Sequence, residues 1–241
     1  MSVTRLGSTL SILAVLGACR GRPTATPDAN GRVVIHARSA DALGVVRAQL
    51  VEAASKRAVL VELHDGTRSV SLELPTTRAL DDATSVVVLR IDAVGRYGAN
   101  VVTDTAALER AARRDAANGS IVLLRVADDI AIHQITAVTD TLTRAGVAHV
   151  VLGFVPPGLP PPEDGWEGCP FPADSRESHG RAVLSIDWDD QGRPGVVRIV
   201  ESTGHGFGGA ALLCTLWQRS NTSRCSGKPP CTQTLGVRFE R

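Results

Sequence analysis

IVLLRVADDIAIHQITAVTDTLTRAGVAHVVLGF, residues 121–154, decides the fold class. Ile121 to Val126 is apolar on both alternations, which suits a central strand buried on both faces. Ile132, Ile135, Val138 and Leu142 then recur at helical spacing, so a helix over about 130–145 buries one face. Gly146 stops that helix, and Val147 to Phe154 closes the unit as another buried strand. Asp128 and Asp129, just before the helix, are read as N-capping residues rather than a catalytic acid pair.

The same alternation extends upstream. Val33 to Ala37 reads as a strand. Leu43, Val46, Leu50 and Ala54 share a helix face, with Ser39 as the expected cap and Lys56 and Arg57 suiting the C-terminus. Val59 to Leu63 and Val70 to Leu74 are strands around the turn His64-Asp65-Gly66-Thr67. Val86 to Ile91 is a further strand, followed by a hairpin turn at Ala93-Val94-Gly95-Arg96. Residues 104–117 form an Ala/Arg-rich helix. The strand–helix–strand at 33–63 echoes the one at 86–126, which hints at duplication. The chain is expected to be α+β, with a first domain over 32–154.

VPPGLPPPEDG, residues 155–165, holds five prolines between Pro156 and Pro162 and reads as a semi-rigid spacer. Beyond it, 166–241 reads as a small ββαβ domain. Ala182, Leu184, Ile186 and Trp188 alternate onto one face, and Asp189 to Pro194 makes a turn. Val196 to Glu201 returns, a helix over about 207–219 carries Phe207, Ala211, Cys214 and Trp217 on one stripe, and Leu235 to Glu240 closes the sheet.

The first residues address location. Arg5, an apolar run from Leu6 to Ala18, and Leu16-Gly17-Ala18-Cys19 have the layout of a signal peptide, residues 1–18, ending in a lipobox. The run is thirteen residues, and a spanning helix needs about twenty. The expectation is lipidation at Cys19, a polar tether over 19–31, and a periplasmic, lipid-anchored protein. Arg20 after Cys19 points to the outer membrane. The alternative is an uncleaved N-terminus held in the inner membrane.

Net charge is +1 and aromatic residues are 3% of the 241. That gives no basic excess for nucleic acid, and cores of Val, Leu, Ile and Ala. Beyond Cys19, the cysteines are Cys169, Cys214, Cys225 and Cys231, all in the last third. An even set in an exported chain reads as disulfides. Three pairings are open, of which Cys169–Cys214 with Cys225–Cys231 is the one favoured here.

The sequence carries no familiar catalytic or metal-binding frame. No C-x-x-C pair and no ligand-spaced His pair suggests a metal site. His36, His64, His133, His149, His179 and His205 fall outside H-E-x-x-H and related patterns. Gly204-His205-Gly206-Phe207-Gly208 lacks the full G-x-G-x-x-G context and reads as a tight turn before a helix. Asp187, Asp189 and Asp190 suit a hairpin turn, with weak calcium binding a remote option. No G-x-S-x-G or Walker pattern occurs. The expectation is a non-enzyme with no cofactor beyond the covalent lipid; an enzyme of unknown class is the remote alternative.

Two resemblances accompany this reading. SVVVLRIDAVGRYG, then TAALERAARRDAANGS and the opening stretch through Phe154, resemble the periplasmic domain of the ExbD/TolR family, with Ala127-Asp128 and Ala145-Gly146 at the family's turn positions. Cys169-Pro170-Phe171-Pro172, AVLSIDWDDQGRPGVVRIVEST and Gly204 to Leu212 look like a TonB C-terminal domain, to which the Cys169–Cys214 pair would be an addition. The resemblance implies a component of a Ton/Tol-like transport or energy-transduction system. It would bind envelope proteins or extended peptides by strand addition, with Leu235, Val237, Arg238 and Phe239 on the candidate edge strand and Arg238 and Arg241 blunting it when unoccupied. It leaves open a homodimer. The departures argue against proton coupling by this chain alone: no acidic residue precedes Asp28, and the spacer spans only about 30 Å.

Overall fold

Strands whose two alternations are both apolar end up in the middle of one sheet, and strands with a single apolar alternation end up near its margins. A computed structural model describes residues 26–76, 80, 83–92, 95–102, 104–153, 169, 171–172, 175–216 and 230–241. The leader, Cys19, the proline-rich spacer, Trp217 and Cys225 lie outside the described residues. The fold is α+β. The chain runs β1 (Arg32–His36), α1 (Leu43–Ser55), β2 (Leu60–His64), β3 (Ser69–Glu73), β4 (Ser85–Ile91), β5 (Arg96–Tyr97) and β6 (Asn100–Val101). It continues α2 (Thr105–Ala116), β7 (Ile121–Val126), α3 (Ile132–Arg144), β8 (Val150–Gly153), β9 (His179–Trp188), β10 (Pro194–Ser202), α4 (Phe207–Leu216) and β11 (Cys231–Glu240).

All eleven strands among the described residues belong to one sheet, ordered β1-β2-β3-β8-β7-β4-β10-β9-β11, with β5 and β6 attached beside β4. The seam between the two halves of the chain is antiparallel: Val196 pairs Val87, Val197 pairs Val86 and Arg198 pairs Ser85. The sequence reading assigns a sheet to each half; in the structure the halves share one. The apolar pattern explains why. On β4, Val87 and Leu89 enter a core with α1, α2 and α3, while Val86 and Val88 enter a second core with α4. On β7, Val122 and Leu124 face the first core, and Ile121 and Leu123 the second. Both faces of the central strands are covered because the C-terminal half supplies the second layer. α4 is apolar nearly all round, as a helix buried on every side must be.

The starts of α1 and α3 lock together through their backbones. Ala42 and Ala131 form an antiparallel bridge. Leu43 N–H donates to Ile130 O and Ile132 N–H to Asp41 O; Gly44 N–H donates to Asp128 O and His133 N–H to Ser39 O. Each helix thus satisfies orphan amides of its own first turn with carbonyls preceding the other. This corrects the capping expectation. The N-caps are Ala42 and Ala131, and neither makes a side-chain cap bond. Ser39 and Asp128 act through their carbonyls, and the Asp128 carboxylate pairs with Arg47.

A constant offset superposes β1, α1 and β2 on 121–125, α3 and 149–153 without a gap. Leu43, Val46, Leu50 and Ala53, buried on α1, fall on Ile132, Ile135, Thr139 and Leu142, buried on α3. The segment that echoes 33–63 is therefore 122–152, not 86–126. The equivalence extends to backbone conformation. Gly146 takes φ 91° where the chain leaves α3, and Arg57 takes φ 60° at the matching place after α1.

Candidate functional site

β11 closes one margin of the sheet and is ten residues long. Among the described residues it pairs only with β9, from Cys231↔Trp188 to Glu240↔His179. Arg241 N–H donates to Ser178 O at 3.1 Å, which sets the phase of this ladder. In an antiparallel pair, hydrogen-bonded and non-bonded positions alternate. Cys231, Gln233, Leu235, Val237 and Phe239 therefore spend both backbone groups on β9. Thr232, Thr234, Gly236, Arg238 and Glu240 turn theirs outward. Of the four residues expected on the edge, only Arg238 offers its backbone; Val237 and Phe239 are buried, and Leu235 packs against the same core. Arg241 does not blunt the edge, because its guanidinium lies 4.6 Å from the centre of the Phe171 ring.

The opposite margin, β1, is capped at one end. Ala37 N–H donates to His64 O, so Arg32, Val34 and His36 face outward. Asp28 then occupies the first of these: its N–H donates to Arg32 O at 2.8 Å, and its Oδ1 accepts Arg32 N–H at 2.9 Å. The backbone N–H groups of Arg32, first, and of Asn30 both donate to this carboxyl and hold it below the usual range. A five-residue strand with a capped end is a blunted edge. β11 carries no such cap among the described residues.

The inner face of β11 is anchored by the segment before β9. Cys169 and Cys214 form a disulfide with Cα atoms 5.6 Å apart. Cys231 is also disulfide-bonded; its expected partner, Cys225, lies outside the described residues. The first bridge ties Phe171 to α4, where it meets Phe207 edge-on at 5.4 Å, and Phe207 meets Phe239 of β11 at 5.4 Å. Phe207 reaches this place through a turn in which Gly204 and Gly206 both take φ 90°. The glycines serve chain reversal here, as expected.

The aspartates of the β9–β10 turn hold the seam. Asp189 is fully buried and pairs with Arg90 of β4; its other oxygen accepts the N–H groups of Gln191 at 3.0 Å and Arg193 at 2.8 Å. Arg90 also donates to Pro194 O at 2.7 Å, and its Nε has no partner among the described residues. Burial pulls the Arg90 pKa down, and the Asp189 charge opposes that shift. Asp190 pairs with Arg96 at 2.9 Å. Asp187 accepts from Arg198 at 2.8 Å and from Thr232 at 2.7 Å. These oxygens are thus engaged by guanidinium, hydroxyl and amide donors, and no metal-holding cluster occurs among the described residues. Arg90 was not singled out in the sequence. The available signal was a lone arginine inside SVVVLRI, a strand otherwise apolar on both faces.

Three histidines share the polar face of β1–β3 and its border. His36 and His64 have ring centres 5.0 Å apart, and His149 pairs with Glu73 at 2.6 Å. His64 Nε2 lies 3.1 Å from Glu62 Oε1 and 3.4 Å from Ser69 Oγ, and Ser69 donates to the same Glu62 oxygen at 2.7 Å. A Ser-His-acid relay needs acid and hydroxyl on different ring nitrogens. Here both meet one nitrogen, and the serine proton goes straight to the carboxylate. His133 Nδ1 contacts Ser39 O at 2.9 Å in the helix interlock.

No helix among the described residues is long and apolar enough to cross a membrane. The chain matches no protein-family model, no curated protein and no solved structure.

Proposed function

We propose that this chain is a non-catalytic envelope lipoprotein, held by lipid at Cys19 at the outer membrane, that binds an extended segment of a partner protein by adding it to β11. What carries the reading is one observation: a ten-residue terminal strand with five outward-turned residues and no cap among the described residues, in a sheet whose other margin is blunted. Strand addition draws affinity from backbone hydrogen bonds, so it tolerates sequence variation and needs no pocket. The resemblance of 85–154 to ExbD/TolR and of 166–241 to TonB C-terminal domains supports a place in a Ton/Tol-like system. The Asp189–Arg90 pair joins those two parts and gives a load on β11 a continuous path through the sheet.

The test uses proline placement. Thr234→Pro removes an outward N–H, whereas Leu235→Pro removes one bonded to β9. Thr234→Pro is expected to keep the fold and abolish peptide capture, and Leu235→Pro to unfold the C-terminal part, read by circular dichroism and peptide anisotropy. Equal capture by the Thr234→Pro variant and the parent chain would remove strand addition as the mode. Lipidation is read separately, as loss of fatty-acid label in Cys19→Ala.

A further inference from the structure

The outward-turned residues of β11 send their side chains to the sheet face away from α4, and successive rows on that face differ. At Thr232 the row is closed: its hydroxyl and the Arg198 guanidinium already satisfy Asp187. At Gly236 the row is open. A Cβ built there meets nothing within 4 Å, so the glycine leaves an empty place beside Val183, its half-buried partner on β9. Its φ lies outside the left-handed range, so no backbone requirement explains the glycine. At Arg238 the row is charged. Arg238 lies directly opposite Arg181; Arg181 is paired with Glu201, and Arg238 makes no ion pair among the described residues. Like charges directly opposite each other destabilise a sheet, and an opposite charge on the next strand relieves them.

Resting on strand addition at β11, we propose that this edge selects an extended peptide carrying a carboxylate and a large apolar or aromatic side chain separated by one residue. The carboxylate sits opposite Arg238. The large side chain lies across Gly236 and reaches Val183. Gly236 and Arg238 are two apart on one face, so their partners are two apart on the added strand in either strand direction. An edge glycine covered by a cross-strand aromatic is a recognised stabilising arrangement in sheets.

The experiment measures anisotropy of labelled ten-residue peptides on the full chain. One set carries glutamate, a spacer residue and phenylalanine, in both orders; the controls replace glutamate by lysine or phenylalanine by alanine. The lysine control is expected to bind roughly fivefold to tenfold more weakly. Arg238→Glu should invert that ranking. Gly236→Val, which fills the open place without backbone strain, should erase the preference for phenylalanine over alanine. Protection of the Thr234, Gly236 and Arg238 amides from exchange reports strand addition itself. Protection without any ranking overturns this specificity and leaves strand addition standing. No binding and no protection with any peptide overturns both. A dimer of the chain in solution that Thr234→Pro dissolves assigns the edge to a second copy and overturns the peptide as its occupant.

Discussion

Asp65 shows how one carboxylate ties a turn to a distant helix. Its Oδ1 accepts the N–H groups of Thr67 at 2.9 Å and Arg68 at 2.7 Å, and its Oδ2 accepts the Thr136 hydroxyl of α3 at 2.9 Å. The Thr67 amide leads in holding its pKa well below the ordinary carboxylate range. A depressed folded-state pKa adds stability that is whole above the unfolded value of about 4 and is lost as pH falls through and below it. Asp65→Asn is therefore expected to lower stability at neutral pH and to flatten the acid side of the stability–pH curve, read from denaturant midpoints. Arg90 and Asp189 pose a different case. Asp189→Asn leaves a buried guanidinium without its counter-charge, and a loss of about 3–5 kcal/mol in urea unfolding is expected. Arg90→Met combined with Asp189→Leu removes both charges and should recover part of that loss.

The two matching strand–helix–strand units make an internal control at the scale of elements. After α3 the chain turns through Gly146, and after α1 through Arg57, in the same left-handed region. A side chain with a Cβ costs roughly 1–2 kcal/mol there. Arg57→Gly relieves this but adds freedom to the unfolded chain, so a net gain of about 0.5–1 kcal/mol is expected, read as a raised melting temperature. A loss of stability would show that Arg57 makes a compensating contact. The two terminal strands form a second contrast. Both alternate buried and exposed residues, yet β1 is short and capped by Asp28 while β11 is long and carries no cap on its outer side among the described residues.

Across the whole molecule, the β4–β10 pairing, the Arg90–Asp189 pair and the core shared by α4 with β4 and β7 hold the C-terminal half in place, and the Cys169–Cys214 bridge braces that half internally. A bridge closing 45 residues stabilises by about 4 kcal/mol in the chain-entropy model. Cys169→Ser with Cys214→Ser should lower the unfolding free energy by up to that amount. A protease site placed within 155–165 supplies the complementary measurement: once cut, the two pieces should still co-elute, because β10 and α4 bind the first half directly. The α+β class, most of the strands and helices and the stop at Gly146 were legible in the sequence, because apolar period and turn chemistry are local properties; the sequence left three cysteine pairings open, and the structure shows Cys169–Cys214. Helix capping by Ala42 and Ala131, the merging of two sheets at Val86–Val87, and the phase that turns Gly236 and Arg238 outward were decided by tertiary structure. Each depends on which distant backbone a segment meets, and residue type constrains that only weakly: a strand's alternation marks its buried face, while its hydrogen-bonded edge is set by its neighbour.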